Sequence, residues 1–163
     1  MNPAEISRLA KSALDLAKQS GRSPESFVVA YIAWEALKIR ILLVGMTANG
    51  MSVSEAKKVV SLLEIWQGDK YSKAFKSYFG LFPNNTPGIG RLFNKAESFK
   101  SLRNGFVHGS RKTSPAKFRE ATIELVGIIE ADWGLHLGSL LLNSKNLDPM
   151  KRLQRQNTTR RLG

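Results

Sequence analysis

The sequence predicts an all-α fold, an up-and-down bundle of about five to six helices. Three observations carry that expectation. Helix-start and helix-stop residues recur along the chain. Apolar residues fall at helical spacing between them. No segment sustains the period-two alternation of a half-buried strand.

Asn2-Pro3 starts a first helix, with Ile6, Leu9, Ala13, Leu16 and Ala17 on one face and Gly21 as its stop. Ser23-Pro24 starts a second that runs to about Met46. It is apolar on most sides, which makes it the expected central helix. The stretch SVSE, Ser52 to Glu55, is a capping box that opens a third, ending at Gly68. Asp69 is placed to cap a short fourth, KYSKAFKSYF. GLFPNNTPGIG is a loop by its proline, glycine and asparagine content. A fifth helix is expected from about Gly90 to Val107. Ser114-Pro115 starts a sixth, with Phe118, Ala121, Leu125 and Ile128 or Ile129 in register, continuing past Trp133. The long second, fifth and sixth helices form the expected centre. From Asn143 the apolar pattern lapses. Residues 1–143 thus read as one helical domain and 144–163 as a basic tail. That tail reads as a phosphate-contacting arm, a disordered end or a dock for a second protomer.

The chain carries 25 Lys and Arg against 13 Asp and Glu, a net charge of +12. Its placement says more than its size. Residues 91–120 hold eight basic and two acidic side chains, and residues 145–163 hold six and one. The remainder is nearly neutral. A localised positive excess is the footprint of a polyanionic partner, and a nucleic acid is the expected one. An anionic membrane or an acidic protein is the alternative. The longest apolar run, FVVAYIAW, is far too short to span a bilayer, so no membrane role is expected. The chain has no cysteine, and its N-terminus reads as lacking a signal peptide, so a cytoplasmic location is expected.

The chemistry-bearing stretch is SLRNGFVHGSRK, Ser101 to Lys112. It holds His108, one of two histidines, behind Arg103 and Asn104. Histidine suits proton transfer near neutral pH. RNA cleavage needs no outside nucleophile, because the ribose 2′-hydroxyl can attack the adjacent phosphorus. A protein must then take a proton, give a proton and stabilise charge on the phosphoryl oxygens. Arg103 suits the last task through its bidentate fork. Asn104 is placed to orient the histidine or the phosphate. Arg111 and Lys112 are expected to hold the flanking RNA backbone, and Lys151, Arg152, Arg155, Arg160 and Arg161 to contact it from the tail. His136 lies far from His108 and no H-E-x-x-H or acidic cluster appears, so no metal or other cofactor is expected. It reads as a structural histidine beside Trp133 and Leu137. On a straight helix Arg103 and His108 diverge by about 140°. Their convergence calls for a helix ending near Gly105 or Gly109, a long reach by the guanidinium, or a second copy of the motif. Glu35, on the second helix, is an alternative partner for Arg103 as a buried ion pair.

RNGFVH, Arg103 to His108, resembles the R-x(4–6)-H motif of the HEPN superfamily, in which a polar residue, often Asn, follows the arginine. The resemblance implies a small α-helical bundle and a metal-independent endoribonuclease, possessed of a composite site where two motifs meet in a homodimer. It implies Arg103, Asn104 and His108 as the catalytic set. It further implies a toxin or antiviral role and a neutralising partner, commonly a small nucleotidyltransferase antitoxin. A non-catalytic HEPN-like module that binds RNA or protein is the alternative.

Overall fold

A computed structural model describes residues 1–62, 69–109 and 113–143, the last three by backbone alone. These residues are all-helical, with no strand among them. The helices are α1 (Pro3–Ala17), α2 (Ser23–Ala48), α3 (Val53–Leu62), α4 (Lys70–Phe79), α5 (Gly90–Ser98), α6 (Lys100–Val107), α7 (Pro115–Ile129) and α8 (Trp133–Asn143). A single 3₁₀ turn, Pro83–Asn85, sits in the loop before α5. No described helix is long and apolar enough to cross a membrane. The described residues divide into two compact units, those within 1–40 and 91–131 and those within 41–90 and 132–143.

The first unit carries the motif. Asn2 and Glu5 close a reciprocal cap on α1, through bonds of 2.9 and 2.7 Å, which satisfies two otherwise orphaned amide donors. The buried stripe of α1 is Ile6, Ala10, Ala13 and Ala17. Leu9 and Leu16, expected on that face, are only half-buried, and the small alanines take the contact instead. This stripe packs along α7. Arg119 on α7 donates from Nε to the Ala17 carbonyl at 2.8 Å, satisfying an acceptor at the α1 C-terminus. Phe27 on α2 meets Phe118 on α7 at 5.6 Å between ring centroids, and Trp34 meets Phe93 on α5 at 5.4 Å. Rings of this size dominate a core, and truncating one to alanine costs about 3–5 kcal/mol. Ser26 and Thr122 are buried, and their hydroxyls bond each other at 3.0 Å.

Along α2 only Glu25 and Ile32 are exposed, as its nearly unbroken apolar sequence requires. Two expected helices are interrupted. The fifth breaks at Phe99, whose amide donates to Ala96, three residues back instead of four. That 3₁₀ step turns the chain by about 120° per residue rather than about 100°, which rotates the apolar stripe of α6 relative to that of α5. Phe93, Ala96 and Gly105 are buried, whereas Phe106 is 40% exposed and packs T-shaped against Phe118. The sixth breaks after Ile129. Asp132 then caps α8, its carboxylate accepting the Leu135 amide at 3.2 Å.

In the second unit the Ser52–Glu55 capping box is present: the Ser52 amide donates to Glu55 at 2.9 Å. The expected end of this helix at Gly68 lies outside the described residues. Asp69 does not cap α4. Its backbone lacks the extended geometry of an N-cap, and its carboxylate pairs with Lys73 at 2.8 Å. His136 is a packing residue. Its imidazole lies against Gly88, where an added Cβ would fall 2.2 Å from Nδ1, and the positive φ of 81° there also favours glycine.

Candidate functional site

Helix α6 is eight residues long and carries the motif from Arg103 to Val107, with Gly105 buried and His108 just past its end. Its end is set by Gly109, in the left-handed region at φ 63°, a conformation that favours glycine. His108 is thereby the C-cap, and its amide donates to the Asn104 carbonyl at 3.0 Å. The helix thus ends at Gly109, one of the two places the sequence offered.

Arg103 donates from a terminal guanidinium nitrogen to Asn104 Oδ1 at 3.0 Å. The guanidinium carbon stands 5.9 Å from the centroid of the buried Tyr31 ring on α2. Arg103 and His108 are both exposed, and Asn104 is half-buried. The structure therefore joins Arg103 to Asn104 by side chain, and Asn104 to His108 by one turn of backbone. No hydrogen bond links the His108 imidazole to either side chain, nor to any other described residue. Arg111, Lys112, Lys151, Arg152, Arg155, Arg160 and Arg161 lie outside the described residues.

A charged cluster that sequence reading had not assembled lies beside Tyr31. Lys38, almost wholly buried, stands 3.0 Å from Glu97 and 3.7 Å from Glu35. The Trp34 indole N–H also donates to Glu97, at 2.9 Å. Glu35 Oε2 is buried without a hydrogen-bond partner. Burial is the main influence raising the Glu35 carboxyl above the ordinary carboxylate range, with Glu97 adding to it and Lys38 opposing it. Burial likewise raises the Tyr31 phenol, helped by Glu35 and Glu97 and opposed by Arg103. The ion pair with Glu35, the alternative for Arg103, is not formed; Glu35 pairs with Lys38 instead. Part of the signal for this cluster was present: Glu35 and Lys38, three apart, are two of the few charges in a mostly apolar helix.

A groove of about 490 Å³ lies between α6 and the start of α7, lined by Ser98, Ser101, Leu102, Ser114, Lys117 and Glu120 among others. None of Arg103, Asn104 or His108 lines it. Among the described residues no three His, Cys, Asp or Glu side chains group as metal ligands. No family model, curated protein or solved structure matches the chain.

Proposed function

We propose that the chain is an HEPN-like, metal-independent endoribonuclease that acts as a homodimer. The observation that carries this reading is the exposed end of α6, where Arg103, already bonded to Asn104, and His108 are presented on consecutive turns. In the proposed reaction the ribose 2′-oxygen attacks phosphorus as its proton passes to a base. The P–O5′ bond breaks and the leaving oxygen takes a proton, giving a 2′,3′-cyclic phosphate and a 5′-hydroxyl. Arg103 meets the phosphoryl oxygens as charge builds on them. A single exposed histidine per motif supplies one proton-transfer group, and the concerted step wants two. A second His108 across a two-fold axis supplies the other. The net charge of +12 favours RNA as the polyanion, and the basic tail would add phosphate contacts. A toxin or antiviral role with a nucleotidyltransferase antitoxin follows from the motif resemblance alone.

The test is incubation of the purified protein with end-labelled RNA in chelator. Cyclic-phosphate ends are expected, and His108→Ala lowers the rate by about 10²- to 10⁴-fold, the scale of general acid–base catalysis. RNA bound but never cut would favour a non-catalytic binding module.

A further inference from the structure

We infer that Tyr31 is a positioning residue for Arg103, fixing the guanidinium so that its outer edge meets a phosphate. The inference rests on the ribonuclease reading. Three observations carry it. The Tyr31 ring is 5% exposed and is wedged beside Phe27, at 6.1 Å between centroids, so it is a fixed surface. The guanidinium lies over that ring at 5.9 Å, within the range of cation–π attraction. On its other flank Arg103 spends one terminal nitrogen on Asn104 Oδ1, leaving the rest of its donor fork uncommitted among the described residues. Charge balance adds a cause. Glu35 and Glu97 share the single ammonium of Lys38. The surplus negative charge draws Arg103 toward the ring without forming an ion pair with it. A guanidinium held by a ring face and an amide, with no carboxylate closing its fork, is prepared for a planar oxyanion.

The inference separates the ring from the hydroxyl. Tyr31→Phe keeps the ring and should retain the single-turnover cleavage rate. Tyr31→Leu removes the ring and should lower that rate about two- to fivefold, the worth of an exposed cation–π contact. In an Arg103→Ala background the same Tyr31→Leu change should have no further effect. An equal loss in both backgrounds would make Tyr31 merely structural and overturn the inference. Should the leucine variant not fold, the wild-type protein gives an independent readout. Its Arg103 Nε–H resonance, assigned by its loss in Arg103→Ala, should show a nuclear Overhauser contact to the Tyr31 ring and shift on titration with inorganic phosphate. Absence of either signal would also overturn it. If the wild-type protein cuts no RNA while both signals are present, it is the ribonuclease reading that fails and the anion-positioning role that stands.

Discussion

Lys38 and Arg103 are two cations near the same carboxylate, Glu35, and the fold treats them in opposite ways. Lys38 is buried and its charge is absorbed by Glu97 and Glu35. Arg103 is exposed, has no carboxylate within ion-pair distance among the described residues, and bonds only a neighbouring amide. Lys38 sits in the middle of a helix that is apolar almost all round, so its charge had to find partners inside. Arg103 sits on the last turns of a short helix whose end is open to solvent. What separates the structural cation from the proposed site cation here is whether its donors are already spent.

The largest expected effect breaks the comparison by removing each charge. Lys38→Met leaves Glu35 and Glu97 facing each other half-buried without their shared cation, which should cost about 3–5 kcal/mol of stability. Arg103→Met should stay within about 0.5 kcal/mol, as for a surface substitution. Urea denaturation of both variants checks this. Equal losses would place Arg103 in the structural network and end its candidacy as a site residue.

The second effect is smaller and concerns rate. Arg103→Lys keeps the charge but loses the planar fork. At a site that grips a phosphoryl group in bidentate fashion this exchange is not conservative, and the cleavage rate should fall about 10²-fold with thermal stability unchanged. A lysine variant as fast as wild type would mean that charge alone suffices, and the bonded Arg103–Asn104 pair would then have no catalytic meaning.

The contrast between these cations also marks how far the sequence could be read. The all-helical class was legible because apolar spacing and caps agree over long stretches, as at Asn2-Pro3, Ser52–Glu55 and Ser114-Pro115. The breaks at Phe99 and after Ile129 were not. Apolar residues continue through both, and a single 3₁₀ step has no compositional mark. Asp132 does carry a capping signal, but it was hidden inside a stretch that already read as helix. At the site, the helix end at Gly109 could be read from the glycine. The second carboxylate of the Lys38 cluster could not. Lys38 lies three residues from Glu35 on the same helix, but Glu97 belongs to a distant segment, and only packing brings the second carboxylate to the lysine.

The smallest effect sharpens the comparison from the carboxylate side. Burial, more than any neighbour, raises the Glu35 carboxyl in the folded protein. A raised carboxyl holds its proton in the folded state after the unfolded chain has released it. The Glu35 contribution to stability is therefore fullest below the ordinary value of 4.5 and declines as pH rises through the folded pKa. Glu35→Gln removes the titration while keeping the shape, and Lys38 retains Glu97 at 3.0 Å. The variant should match wild type in acid and exceed it at pH 7 by about 1 kcal/mol, since replacing a buried ion that lacks full hydrogen bonding is neutral to stabilising. Denaturation midpoints from pH 4 to about pH 8 would show the gap opening with pH. A variant that falls below wild type as pH rises would mean that the Glu35 charge is held by the fold at a net gain. Lys38 and Arg103 would then be joint partners of one anion, and the division drawn between them would not hold.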